Sequence, residues 1–390
     1  MILAAGTFAQ ASFAVTTIGL PALAPALRSH YGLTLGETGV VLAATGFGML
    51  LTLLPWGLLA DRLDERWVIA AGLATAAGAL AACAATKGFV SLTLVLAAAG
   101  AFGASVNAAS GRAVMSWFDS HELGLALGIR QTAIPIGGAM GAAMMPLLAS
   151  AGGTRLAFFV LGGICAVGAV VGAALIRTGP ERTTGLTHVA QPLREPRLWL
   201  LGSGTALFLT AQIAITGFVV LFLHEHRHVS THAAAALLAV INVLAIGARI
   251  GSGRISDRMQ TRLRPLRTIG IALTATTAFV AALLDGPLAV LAPAFVVAGV
   301  LSMAWNGLAF AASAEVAGPA RTGAALGFQQ TLLGVVSAAA TPAFAAIAAS
   351  SWRLAFALSA VGPLLGVLTL STVSESGRRL GTSASPPAVP

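Results

Sequence analysis

Twelve runs of mostly apolar residues fill this chain, at approximately 2–27, 38–60, 67–86, 89–115, 124–150, 156–176, 198–223, 232–256, 267–284, 287–313, 322–350 and 354–374. A helix needs about 20 such residues to cross the hydrocarbon core of a bilayer. Inside that core the backbone finds no water to bond to, so only helices and closed barrels can span it. Barrel strands would be about 10 residues long and alternate in polarity; these runs do neither. Hydrophobic residues make up 57% of the chain and charged residues 9%. A soluble domain carries roughly 25% charge, because it needs polar residues to cover its outside. The pattern therefore predicts an all-α membrane protein of 12 transmembrane helices.

The two halves of the chain repeat each other. Gly57-Leu-Leu-Ala-Asp61-Arg62 closes the second run, and Gly253-Arg-Ile-Ser-Asp257-Arg258 closes the eighth, 196 residues on. Asn107 recurs as Asn306, Ala126-Leu-Gly128 as Ala325-Leu-Gly327 and Gln131-Thr132 as Gln330-Thr331, each 199 residues apart. Arg155-Leu-Ala-Phe158 returns as Arg353-Leu-Ala-Phe356 after 198. A period of half the chain in a membrane protein points to transport between two pseudo-symmetric bundles. The expected organisation is an N-terminal six-helix bundle at 1–176, a linker at 177–197 and a C-terminal six-helix bundle at 198–374. A proline-containing tail at 375–390 is expected to be disordered. The linker holds Arg177, Arg182, Arg194, Arg197 and three prolines.

Basic residues favour cytoplasmic loops. With the N terminus inside, the cytoplasmic loops and tail hold fourteen arginines, from Arg62 and Arg66 to Arg378 and Arg379. The outer loops hold only Arg28, Lys87, Arg155, Arg227 and Arg353. Both termini are therefore expected in the cytoplasm. The net charge of +9 follows from this asymmetry and needs no nucleic-acid partner, since the arginines are scattered over short loops. The partners implied are a lipid bilayer and a small-molecule substrate, with the chain acting as a monomer.

Catalysis and cofactors find no support. Cys83 and Cys165 are isolated within apolar runs, where thiols serve as small fillers. His224-Glu-His226-Arg-His228 has alternate spacing in a loop, a weak metal signal against the plain reading of a solvated segment. No Walker loop is present, and no Ser/His, paired-Asp or metal-ligand set stands out. The chain is read as no enzyme, with no cofactor and no metal.

The paired Gly-x-x-x-Asp-Arg loops, in register with six-plus-six helices, resemble the signature of the major facilitator superfamily, over the whole chain to about Val373. Within it, Gly124-Leu-Ala-Leu-Gly128-Ile-Arg130-Gln131-Thr132 followed by Pro135-Ile-Gly137-Gly138 is similar to the fifth helix of bacterial cyanate-type and monocarboxylate-type porters. The resemblance implies a multi-pass carrier of the bacterial plasma (inner) membrane working by alternating access. It also implies that Asp61 meets the eleventh helix of the opposite half and latches the cytoplasmic side. The latch set is Gly57, Asp61, Arg62 and Arg66, with Gly253, Asp257 and Arg258 as its second copy. Gly57 and Gly253 would let helices approach closely, and Arg62 and Arg66 would tie the loop to Asp119 or Glu122. The plain alternative is that these charges only anchor the loop at the headgroups. The chain departs from the family pattern in having Asp64-Glu65-Arg66 and Gln260-Thr261-Arg262 after the two motifs.

Polar residues inside the bilayer are costly unless they have a partner or a task. All thirteen acids fall at helix ends or in loops, with Glu37, Asp61, Asp285 and Glu315 nearest the helices. Arg130 and Arg249, by contrast, lie within apolar runs. A guanidinium beside a central cavity suits a carboxylate or other small oxyanion; the plain alternative is a structural arginine bonded within the bundle. Gln10, Asn107, Gln131, Gln212, Asn242, Asn306, Gln329 and Gln330 are further candidates for a cavity lining, or for bonds between helices. Pro135, Gly137, Gly138 and Gly141 are expected to interrupt the fifth helix and Gly334 and Pro342 the eleventh, as hinges; close helix packing is the alternative. The substrate expected is a small organic anion such as a monocarboxylate, moved by secondary active or facilitative transport, with efflux of drugs as the second reading. Single cysteines placed at 177–197 should react with an impermeant thiol reagent only from the cytoplasmic side; labelling from outside would reverse the topology.

Overall fold

The computed structural model describes residues 1–115, 117, 126, 129–177, 195–317 and 322–373, and among them it is helical, with no strand. The spans are α1 (Ile2–Tyr31), α2 (Leu35–Arg62), α3 (Glu65–Cys83) and α4 (Phe89–Met115), then α5 and α6, which share the element Ala133–Leu175. The second half holds α7 (Pro196–Glu225), α8 (Thr231–Met259), α9 (Leu263–Ala282), α10 (Leu288–Ala317), α11 (Thr322–Ser350) and α12 (Trp352–Ser371). Eleven elements are long and apolar enough to cross a membrane, and one of them crosses twice. The element Ala133–Leu175 has 43 residues, about 65 Å at 1.5 Å per residue, twice a bilayer core. It leaves helical geometry at Gly152 and at Gly153, where φ is +67°. That left-handed conformation costs glycine little and other residues more. The contacts with α1 give the direction of each limb. Gly137 meets Ala14 and Val15, and Gly141 meets Gly19, so α5 (133–152) runs toward the Tyr31 end. Gly168 meets Ser12, so α6 (153–175) runs back.

Helix ends follow local chemistry. Gly32 ends α1 in the left-handed region with φ 66°, the usual terminator when a backbone must turn sharply. Thr34 and Glu37 form a reciprocal capping box at the start of α2, which occupies the carboxylate at the helix rim. Asp64, Ser230 and Ser351 cap α3, α8 and α12. Helix α7 begins at Pro196, two residues before the apolar run, because proline at a first helical position sacrifices no hydrogen bond. The rest of the expected linker, 178–194, and the tail from 374 lie outside the described residues.

The halves join by α2 against α11 and by α5 against α8. Gly39 faces Pro342 and Ala345, Gly46 faces Ser337, and Leu50 reaches Gly334. These pairs climb from the middle of the helices to the rim carrying the α1–α2 and α11–α12 loops. At that rim Arg28 of α1 forms an ion pair with Glu225 of α7. One apolar core runs across both halves there, from Leu27 and Val41 to Phe222, Leu238 and Ala345. Toward the opposite rim a separate core of Leu201, Phe208, Leu266, Trp305 and Leu370 belongs to the second half alone. The two halves are thus sealed at the Arg28 rim.

Bends fall elsewhere than the sequence suggested. Helix α5 runs unbroken through Pro135, Gly137, Gly138 and Gly141, and α11 through Gly334 and Pro342. Gly137, Gly138 and Gly141 sit instead where another helix touches the backbone. Among the described residues, the irregular points of the second half include a turn at Leu207–Phe208 and a π turn at Ile213–Gly217 in α7, and a break at Trp305 in α10. Such π turns are rare and recur at functional sites. A Cβ on Gly141 would stand 2.4 Å from the Cα of Gly19, so Gly141→Val must push α1 off α5. We expect a loss of about 2 kcal/mol of stability, read as a lowered midpoint of thermal unfolding in detergent; an unchanged midpoint would mean the α1–α5 contact is loose.

Candidate functional site

Each half carries the same amide pair on its first and fourth helices. In the first half Gln10 of α1 donates through Nε2 to Asn107 Oδ1 of α4 at 3.1 Å. In the second, Asn306 of α10 donates through Nδ2 to Gln212 Oε1 of α7 at 3.4 Å. At about 1.5 Å per residue, Asn107 lies about 27 Å from the start of α4 at Phe89, and Asn306 the same distance from the start of α10 at Leu288. Both pairs therefore sit past the midpoint of the bundle, below the seal. Gln212 ends a regular stretch of α7 just before the π turn, and Asn306 follows the break at Trp305. The second-half pair is thus carried on bent helices and the first-half pair on straight ones.

Around these amides the repeat has diverged in charge. Arg130 lies in a helical turn leading into α5 and is 8% exposed. Its Nε donates to Ser110 Oγ at 3.0 Å and its Nη2 to the Asn107 carbonyl at 3.0 Å. The matching position of the second half is Gln329, which takes the hydroxyl of Ser313 and donates to Thr205 Oγ1 at 3.2 Å. Arginine in one half is therefore glutamine in the other, each holding a serine of the fourth helix of its own half. The opposite exchange occurs one helix pair away, where the 196-residue offset of the loop motifs sets Arg249 of α8 against Leu53 of α2. Arg249 donates through Nε to the carbonyl of Met303 at 3.0 Å.

Arg249 also crosses between halves, since its Nη1 donates to the carbonyl of Gln131 at 3.1 Å. Gln131 follows Arg130 directly in the chain, and its Oε1 accepts from Gln10 Nε2 at 3.4 Å, so both arginines join one hydrogen-bonded network through Asn107, Gln10 and Gln131. Among the described residues, neither arginine has a carboxylate within 4.0 Å. A buried cation without an acid is a place where an anion is favoured.

The remaining candidates are more scattered. Asn242 is fully buried in α8, donates to the carbonyl of Leu238 and lies against Gly138; it fills the α5–α8 seam. Gln330 is half-buried next to Gln329. Reading the sequence missed Ser110, Ser313 and Thr205, though Ser110 and Ser313 stand 203 residues apart, near the repeat period. Glu65, at the start of α3, is 3% exposed, an acid more enclosed than any singled out from sequence. Glu37 caps α2. Asp285, in the α9–α10 loop, is held below the usual carboxylate range by its hydrogen bond from His226 and then by Arg353.

The family model of the Major Facilitator Superfamily matches residues 6–341. The chain belongs to that superfamily. An uncharacterised MFS-type transporter of Mycobacterium tuberculosis is 32% identical over 354 residues, covering 90% of this chain and 79% of that one. An uncharacterised transporter of Bacillus subtilis is 28% identical over 145 residues, 37% of this chain and 33% of the other. Among solved structures, a bacterial homologue of the human lysosomal transporter Spinster, in an inward-facing and occupied conformation, superposes with a TM-score of 0.77. It shares 16% identity and covers 95% of this chain and 94% of that one. A D-xylose–proton symporter gives a TM-score of 0.73 at 16% identity, covering 95% of this chain and 97% of the other. At such identity the likeness is one of fold. Superfamily members are membrane transport proteins, not enzymes.

The paired loop motifs of this MFS chain lie at the rim opposite Arg28. Gly57 and Gly253 were expected to admit a neighbouring backbone, yet a Cβ on either would meet no atom within 4 Å, because the halves do not close there. The side chains of Asp61 and Arg62, with Asp119 and Glu122, lie outside the described residues. Arg66 pairs with Asp64 at 3.4 Å and stacks over Trp67. In the second copy, Asp257 pairs with Arg262, which also reaches Glu315 of α10 at 2.8 Å; Arg258 is exposed. That network stays within the second half. Among the described residues, the ion pair between halves is the one at the other rim. Replacing Glu225 by Gln removes an interaction worth about 0.2–1 kcal/mol at such a partly exposed rim. We expect up to about a fivefold shift toward conformers open at the Arg28 rim, seen as faster thiol labelling of a cysteine placed at Ser29; unchanged labelling would show that packing of α2 on α11 alone holds the seal.

Proposed function

We propose that this MFS transporter moves a small organic anion, such as a monocarboxylate, across the bacterial plasma membrane by alternating access. The observation that carries the reading is the pair Arg130 and Arg249, bonded to the carbonyls of Asn107 and Gln131 in one network, with no acid of the described residues to neutralise them. A drug-efflux carrier for cations would be poorly served by two positive charges at the same depth. The amides Gln10, Asn107, Gln212 and Asn306 would line the site from both halves. The plain alternative is that each arginine only holds its carbonyls.

Topology completes the proposal. The excess of arginine in the even-numbered loops supports cytoplasmic termini, with 1–176 and 198–374 as the two moving bundles and the chain acting as a monomer. On that orientation the Arg28 rim faces outward, and the sealed state is inward-facing. The latch at Asp61, with Gly57, Arg62 and Arg66, would then form in the opposite state, when the Gly57 and Gly253 rims approach. Rocking would draw on the π turn of α7 and the break of α10, alongside the glycines of α5 and α11.

The repeat itself supplies the test. Arg130→Gln and Arg249→Leu each install the residue that the other half carries at the matching position, so both should fold. In proteoliposomes, uptake of a panel of radiolabelled monocarboxylates should fall at least tenfold in each variant. Transport of lipophilic cations instead, indifferent to both changes, would replace this reading with drug efflux; full carboxylate uptake by both variants would make the arginines structural.

A further inference from the structure

Gln10 is 3% exposed, and its Oε1 accepts no hydrogen bond although the atom is enclosed. Its Nε2 is fully engaged, with Asn107 Oδ1 at 3.1 Å and Gln131 Oε1 at 3.4 Å. Turning the amide over would set its oxygen against those two oxygens, so the orphaned atom is an acceptor. Several serine and threonine hydroxyls are also enclosed without partners, but a hydroxyl rotates freely to find one and an amide oxygen does not. Asn242 Oδ1 is a second orphaned amide oxygen. Gly138 leaves it no space, since even a Cβ there would stand 2.4 Å away. Gln10 differs in its neighbours. Asn107 receives Gln10 through its side chain and Arg130 through its carbonyl at 3.0 Å, and Gln131 receives Gln10 through its side chain and Arg249 through its carbonyl at 3.1 Å. The vacant acceptor thus belongs to the side chain that is bonded to both residues whose carbonyls the guanidinium groups hold.

Resting on the anion reading, we propose that the substrate is a small carboxylate bearing a hydroxyl group beside the carboxylate, and that Gln10 is the residue that selects the hydroxyl. The carboxylate accepts from the guanidinium groups, and the hydroxyl donates to Gln10 Oε1. A buried polar atom left without a partner is far more costly than a hydrogen bond is favourable, which is how a site rejects an analogue that lacks one donor. An ammonium group in place of the hydroxyl would add a positive charge beside two others with no acid to meet it.

The test uses the purified full-length protein in detergent, with lactate, propionate (lactate without its hydroxyl) and lactamide (lactate without its charge). Ligand that binds only the folded state raises the unfolding midpoint, and equilibrium binding gives the ratios. Lactate should bind roughly tenfold tighter than propionate, and lactamide should not bind. In Gln10→Met, propionate should keep its affinity while the advantage of lactate disappears. Equal binding of lactate and propionate by the unaltered protein would overturn the hydroxyl inference and leave the anion reading standing. Binding of lactamide as tight as lactate, or of none of the three, would overturn the anion reading itself. Should Gln10→Met not fold, the ratio measured on the unaltered protein decides alone.

Discussion

Every backbone polar group that the bilayer takes from water must be bonded by the protein, and this requirement organises the molecule. It accounts for the helical spans of the described residues, and it also decides how the helices are allowed to bend. Where α10 breaks at Trp305, the carbonyls of Met303 and Ala304 are met by Arg249 and Ser252 of α8, the latter at 2.9 Å. The break is therefore not a weak point. It is a place where a side chain from another helix has taken over the work of the backbone. The same guanidinium then reaches the carbonyl of Gln131 in the other half. A repair in one helix has become a bond between bundles.

The two halves divide their labour around that bond. Both keep a glutamine on the first helix bonded to an asparagine on the fourth, and both keep a serine on the fourth helix that serves a longer residue from the fifth. What differs is where charge is placed. Arg130 stands in the first half where Gln329 stands in the second, and Leu53 in the first where Arg249 stands in the second. Each half contributes one cation, at positions that do not correspond. A site built this way is completed only when both bundles contribute to it, as alternating access requires.

Much of this was legible in the sequence. Apolar runs of bilayer length gave the helices, and the offset of about half the chain gave the pairing of Asn107 with Asn306. The α5–α6 turn at Gly152 and Gly153 falls where the sequence separates the runs 124–150 and 156–176, with Arg155 in the loop between them. The π turn of α7 and the break of α10 carry neither glycine nor proline at their centres, at Ile215 and Trp305, so no local signal marked them. The glycines of α5 interrupt no helix in this state and lie where α1 and α8 touch the helix backbone, the packing alternative that the sequence also offered. Ser110 and Ser313 were passed over because a helical serine ordinarily bonds its own preceding turn, as Ser110 also does.

The absence of a carboxylate beside Arg130 and Arg249, among the described residues, has an electrical consequence. A charge carried across the full membrane potential exchanges about 2.3 kcal/mol per 100 mV, and a charge that rocks through part of the field exchanges part of that. On the anion reading proposed above, an empty carrier would move two positive charges within the field when it reorients, and a carrier holding a monoanion would move one. Loaded and unloaded forms would then feel the voltage differently, and the electrical driving force would enter the cycle through the protein's own side chains as well as through the solute.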